Sequence, residues 1–142
     1  MSEARDVMET WFRRVWKEED PVAIDDLFVP DGKARGLGAN VLIGPAGFRQ
    51  FQSDLLALLS NVVITIDKLI ESDDWSSMVC SLNANDRRTG KPVMITGSVM
   101  VRIRNGNITE AYNHWDFLGL FGQLELLPAG SFEKALSGAK IA

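Results

Sequence analysis

Apolar residues follow a helical spacing in the first part of the chain and a two-residue alternation in the second. The first helical stripe consists of Val7, Met8, Trp11, Phe12, Val15 and Trp16. Asp20-Pro21 then offers an N-cap followed by a favourable first helical residue, which predicts a second helix over residues 21–28. Gly44-Pro45 opens a third helix, which Ser60-Asn61 ends.

From residue 62 onward the alternation predicts strands over residues 62–67, 75–85, 92–104 and 107–117. Polar turns separate them, so consecutive strands are expected to pair antiparallel. Residues 33–41 are interpreted as a short irregular strand or loop, and residues 131–136 as a short last helix. Helices gathered on one side of an antiparallel sheet define an α+β architecture.

Length and charge narrow the class of protein. The chain has 142 residues, of which 46% are hydrophobic, and this suits one domain over residues 1–142 with a frayed tail at 137–142. The net charge of -4 argues against nucleic acid and against anionic lipid as partners. With no apolar run resembling a signal peptide or membrane span, a cytoplasmic location is expected.

Histidine and cysteine, which bind zinc or act as nucleophiles, are scarce in this sequence. Cys80 is the only cysteine and is interpreted as a small buried hydrophobic residue. His114 is the only histidine, and zinc sites normally need several His or Cys ligands. A metal site is therefore not expected.

The hairpin at Asn105-Gly106 supplies the most specific structural prediction. Asn-Gly favours a type I′ turn, and a two-residue loop there would place Arg104 opposite Asn107. Opposed residues share a face, so regular pairing would group Ile95, Gly97, Val99, Val101 and Ile103 with Ile108, Glu110, Tyr112, His114 and Asp116. The other face would carry Thr96, Ser98, Met100, Arg102, Asn113 and Trp115. A bulge in the hairpin would shift these faces.

The first of these faces is apolar on one strand and is therefore expected to face the core. Burying a carboxylate is costly unless it is paired or hydrated, so the polar column on the partner strand predicts a cavity. Gly97 opposite His114 would leave space for it. Asp116 lies farthest from the turn on this face and is the expected pocket carboxylate, in a position suited to acid/base work.

Several neighbours of Asp116 have two interpretations. His114 is either a second catalytic group or a core histidine bonded to the backbone, and Tyr112 either binds substrate or packs. The remaining candidate substrate-binding residues are Asn83, Trp16, Gly97 and Val99.

The order of motifs resembles the SnoaL-like polyketide cyclases of the NTF2-like superfamily. It is carried by Asp20-Pro21, Gly44-Pro45-Ala46-Gly47-Phe48 and, most specifically, Val101 to Ile108 followed by Trp115-Asp116-Phe117-Leu118-Gly119-Leu120. The resemblance implies a cone, in which three N-terminal helices pack in a strongly curved antiparallel sheet with a pocket at the open end. It also implies a cofactor-independent cyclase or isomerase, with Asp116 as general acid/base acting on a small apolar, polyketide- or steroid-like molecule. Homodimers are common in this family.

Two other functions stay open at this point. The domain is alternatively a non-catalytic small-molecule-binding or dimerisation module, with Met100 and Trp115 contacting a partner from the outer face. An epoxide hydrolase would need an arginine near the pocket, and Arg102 is predicted on the face opposite Asp116.

Overall fold

The computed structural model describes residues 2–141, which contain five α-helices. They are α1 (Glu3–Trp11), α2 (Val22–Leu27), α3 (Gly44–Leu58), α4 (Phe117–Gln123) and α5 (Ser131–Leu136), and α1 continues as a π-helical segment, Phe12–Lys17. The Ser2 side chain caps α1 by accepting from the Arg5 amide at 3.0 Å. The predicted helices are confirmed within a few residues, whereas α4 falls where the sequence indicated the end of a strand and an apolar tail.

Six strands form one curled sheet. They are β1 (Phe28–Arg35), β2 (Leu42–Ile43), β3 (Leu59–Ser72), β4 (Trp75–Asp86), β5 (Pro92–Arg104) and β6 (Asn107–Trp115), in the spatial order β2-β1-β6-β5-β4-β3. Pairing is antiparallel from β6 through β3, as predicted. The exception is β1, which the sequence left irregular and which pairs parallel to β6. The α+β cone is therefore confirmed, with one parallel pair in an otherwise antiparallel sheet.

The core lies between the concave face of the sheet and helices α1 to α3. Trp11, Phe28 and Phe48 meet edge to face at its centre, with ring centroids 4.9–6.2 Å apart. The apolar stripe of the first helix is buried as predicted, since Val15 is fully inaccessible and Met8 and Trp16 are nearly so.

A buried glutamine ties α3 to the π-helical segment. The Gln52 side chain donates to the Val15 carbonyl at 2.9 Å and is 4% exposed. A π-helical turn leaves carbonyls without their usual i+4 partner, and Gln52 satisfies one of them inside the core.

The hairpin between β5 and β6 contains a β-bulge that the sequence-based register did not include. Ile103 pairs with Ile108 as predicted, but Arg102 then pairs with Glu110, leaving Thr109 as the additional residue. Beyond it Val99 faces Asn113 and Gly97 faces Trp115. The predicted faces of β6 are therefore wrong from Glu110 onward, because one extra residue exchanges the two faces.

The passage of β1 beside β6 depends on a glycine. Gly36 has φ +86°, and a Cβ built on it would lie 1.7 Å from the Asn113 carbonyl oxygen. Gly38, two residues later, has φ +114° but nothing within 4 Å of the same position.

Alanine at these two glycines should therefore have unequal costs. Gly38→Ala should lose about 1–3 kcal/mol of unfolding free energy from backbone strain alone. Gly36→Ala should lose about 2 kcal/mol more, because β1 must also move away from β6. Urea denaturation of the two variants measures the difference in unfolding free energy. Equal losses would contradict the close approach of Gly36 to the Asn113 carbonyl.

Candidate functional site

An apolar cavity of about 50 Å³ lies inside the cone, between the concave sheet face and the helices. Its wall is dominated by aromatic side chains, which include Trp11, Trp16, Phe28, Phe48, Phe51 and Trp115. The wall also includes aliphatic residues from β3, β4 and β5, such as Ile64, Leu82 and Val99. None of the described residues that line the cavity carries a charge.

The end of β6 supplies Asn113, which carries the only side-chain amide among the described residues that line the cavity. Asn113 and Trp115 both line it, because the bulge turns them toward the helices. The Asn113 amide donates one N–H to the Arg35 carbonyl at 3.1 Å. This side chain makes no other hydrogen bond within residues 2–141, and Asn113 also lines a groove on the surface beside Asp116. The prediction that Asn113 and Trp115 lie on the outer face is wrong because of the bulge.

Trp16 and Val99 line the cavity, whereas the other predicted site residues lie elsewhere. Tyr112 is on the outer face, where it hydrogen-bonds Glu110 and packs near Trp75 with ring centroids 6.2 Å apart. That hydrogen bond to Glu110 raises the pKa of Tyr112. His114 and Asn83 are exposed on the outer face as well. The predicted column of polar groups inside the pocket is therefore wrong.

Asp116 caps α4 from outside the cavity. Its carboxylate accepts from the Gly119 amide at 2.9 Å, and its own amide donates to the Thr96 carbonyl at 3.2 Å. The carboxylate lies close against Gly119, since a Cβ there would be 2.2 Å from Asp116 Oδ2 and the carboxylate would have to shift. The carboxylate is exposed in an open surface groove shared with His114, Thr96 and Ser98. Its neighbours in sequence, Trp115 and Phe117, nevertheless both line the cavity.

Gly97 makes room for Trp115. A Cβ on Gly97 would lie 2.5 Å from Trp115 Cδ2 and Cε3, so the indole rests directly against the glycine backbone. The prediction that Gly97 leaves space opposite His114 is wrong, because Gly97 pairs with Trp115. The space beside Gly97 is taken by the indole of Trp115, which forms part of the cavity wall.

A second apolar depression, which we call the mouth groove, adjoins the cavity. The two share Leu37, Phe51, Leu55 and Phe117. The mouth groove has a volume of about 300 Å³ and adds Gly38, Asp54, Leu58 and Phe121. It lies between the segment after β1, helix α3 and helix α4, and it is the opening through which a ligand could reach the cavity.

Other candidates from the sequence lie outside the cavity. Arg102 stacks 5.6 Å from the Trp75 ring centroid and bonds Asp74 at 3.0 Å, on the outer face. The hydrogen bonds from Arg104 and Arg102 lower the pKa of Asp74. Cys80 is fully buried, and burial raises the pKa of its thiol to about 12, which removes it as a nucleophile.

Comparison with known proteins identifies the family. A SnoaL-like polyketide cyclase model matches residues 6–124, so the chain belongs to the SnoaL-like polyketide cyclase family. No curated protein matches the sequence.

Solved structures of low sequence identity share the fold. TsrD from Streptomyces laurentii is 18% identical, with a TM-score of 0.73 over 88% of this chain and 96% of TsrD. A provisionally assigned polyketide cyclase from Acidithiobacillus ferrooxidans is 22% identical, with a TM-score of 0.74 over 88% of this chain and 96% of its own. A Catenulispora acidiphila protein with a ketosteroid isomerase-like fold, solved with trimethylamine, is 20% identical, with a TM-score of 0.72 over 84% of this chain and 92% of its own.

Two classes of site are not found within residues 2–141. The side chains of His, Cys, Asp and Glu form no group of three or more able to hold a metal ion in this part of the chain. No helix there is long and apolar enough to cross a membrane.

The contact between Gly97 and Trp115 predicts an energetic coupling. Gly97→Ala should lose about 1–3 kcal/mol of unfolding free energy, because the indole must move into the cavity. In a Trp115→Leu background the same change should cost at least about 1 kcal/mol less. A double-mutant cycle by urea denaturation measures this difference. If the losses of unfolding free energy in the two single variants simply add in the double variant, the two residues are not in tight contact.

Proposed function

We propose that this protein binds a small, largely apolar molecule, with an uncharged part of it in the cavity of the cone. The observation that supports this proposal is the composition of the wall, in which aromatic and aliphatic side chains surround the amide of Asn113 and the indole of Trp115. Sites of this kind bind by apolar burial and use a few polar groups for orientation.

The volume of the cavity limits the ligand. A dry protein cavity of about 150 Å³ is known to accept benzene, and this one is about 50 Å³. Even a single aromatic ring would therefore require side chains to move, and a polyketide- or steroid-like molecule would require a larger rearrangement. Phe51 and Phe117 are the best placed to do so, because they are only partly buried and stand between the cavity and the mouth groove.

The reaction that we propose is a cyclisation or isomerisation of the SnoaL-like type, which needs only proton transfer. Asp116 is the proposed acid/base, because it stands between two residues that line the cavity. Its carboxylate would have to leave the amide of Gly119 and turn inward to touch a ligand. Asn113 would hydrogen-bond the oxygen on which charge develops.

A specific observation favours a non-catalytic binding or dimerisation module as the second candidate. No charged residue among those described lines the cavity, so the ground-state geometry holds no base in place. The outer sheet face also exposes Val79, Met94 and Met100, which could meet a partner or a second copy. No observation favours an epoxide hydrolase, since Arg102 is bound to Asp74 on the outer face.

Binding can be tested with acetophenone and ethylbenzene, which have similar shapes and differ in a carbonyl oxygen. Both should bind in calorimetric titrations with a negative heat-capacity change, as apolar burial requires. Asn113→Ala should weaken the binding of acetophenone about 2–10-fold more than the binding of ethylbenzene, because one hydrogen bond to the ligand is lost. His114→Ala, on the outer face of the same strand, is the matched control. Failure of both ligands to bind would refute the proposed function.

The role of Asp116 can be tested with the isomerisation of cyclohex-3-enone to cyclohex-2-enone, followed by ultraviolet absorbance. Asp116→Asn should keep the helix cap and lower the rate by about 10²-fold or more if the carboxylate transfers the proton. Asp116→Ala should also lose about 1 kcal/mol of stability with the cap. Equal rates for wild type and Asp116→Asn would leave Asp116 as a capping residue and favour the binding module.

A further inference from the structure

The mouth groove has the properties of a second half of the ligand site. It joins the cavity through four shared lining residues, among them Phe51 and Phe117. The rings of these two residues contact each other edge to face, with centroids 6.2 Å apart. A ligand that enters between them would be in contact with both spaces at once.

The cavity and the mouth groove differ in how much repacking a larger ligand would require. The cavity wall includes Trp11 and Phe48, which are 6% and 5% exposed and are held by several neighbouring rings. The mouth groove is about six times larger in volume, at about 300 Å³ against about 50 Å³, and its aromatic residues are only partly buried. A molecule longer than a single ring would therefore extend outward into the groove, where little repacking is needed.

The mouth groove also has a single charged residue among its lining residues, Asp54 on α3. Asp54 Oδ1 accepts from the Gln50 side chain at 3.0 Å, and Asp54 takes part in none of the ion pairs found within residues 2–141. The neighbouring acid Asp25, in contrast, is paired with Arg49 at 2.7 Å. Asp54 thus presents a carboxylate without a counter-ion at the edge of an otherwise apolar surface.

We propose that the ligand is an elongated apolar molecule whose ring occupies the cavity and whose far end, a positively charged amine, lies in the mouth groove beside Asp54. This inference rests on the proposed function, because it assumes that the cavity binds a ligand. An amine at the far end gains attraction from Asp54, whereas a carboxylate there is repelled. The net charge of -4 adds to this preference at low ionic strength.

The test compares phenylbutylamine, phenylbutanol and phenylbutyrate, which share one ring and one chain length. In low-salt calorimetric titrations the amine should bind about fivefold more tightly than the alcohol, and the carboxylate more weakly than both. Asp54→Asn should remove the advantage of the amine. Asp73→Asn, the same charge change in the β3–β4 turn, should leave it intact. An amine preference that persists in Asp54→Asn would overturn the assignment of Asp54.

A second variant tests the extension itself. Leu58 lines the mouth groove and not the cavity. Leu58→Ala should weaken the binding of phenylbutanol by about fivefold, because apolar contact is lost, and should leave the binding of ethylbenzene unchanged. Equal effects on both ligands, or none on phenylbutanol, would refute the extended site. If ethylbenzene binds and phenylbutanol binds no more tightly, the extension fails while the proposed function stands. If neither ligand binds, the proposed function fails.

Discussion

The bulge at Thr109 determines which side chains of β6 face the helices. Without it the carboxylate of Glu110 and the ring of His114 would be directed into the core, where unpaired polar groups cost several kcal/mol. With it Ala111 packs in the core and Asn113 and Trp115 reach the cavity. The Thr109 hydroxyl donates to the Arg102 carbonyl at 3.2 Å, which satisfies a backbone group at the bulge itself. One additional residue therefore places the charged side chains of β6 on the outer face and its less polar side chains on the face toward the helices.

The outer face shows where the polar groups go instead. Arg102 lies over the Trp75 ring and, with Arg104, binds Asp74. Tyr112 bonds Glu110 next to them. Such pairs are partly exposed, so each contributes little to stability. They give polar residues of β5, β6 and the β3–β4 turn partners on the outer face. The alternative register of β6 would take Glu110 and Tyr112 away from that face.

Apart from β1, β2 and α4, the sequence was sufficient for the order of the elements and for the ends of several of them. Helical spacing, the Gly44-Pro45 start and the Asn105-Gly106 turn are local signals, and β5 and α5 have the predicted bounds. The site was not predictable in the same way, because a single inserted residue decides which side chains of β6 face the cavity and which face outward. A weak signal was present in Ala111, Asn113 and Trp115, which alternate with Glu110, Tyr112 and His114 and form the less charged set. The parallel contact of β1 with β6 was also hidden, since long-range pairing leaves no local pattern.

The position of Asp116 shows how the end of β6 relates the fold to the site. The strand ends where Asp116 caps α4, with its carboxylate close against Gly119. This turn directs Phe117 back over the opening of the cavity, against Phe51, while the carboxylate stays in water. The residue that we propose as the acid/base thus begins the turn that places an aromatic side chain at the mouth of the cavity. The helix cap and the position of Phe117 over the opening therefore depend on the same short stretch of chain, in which a strand of the cone ends and α4 starts.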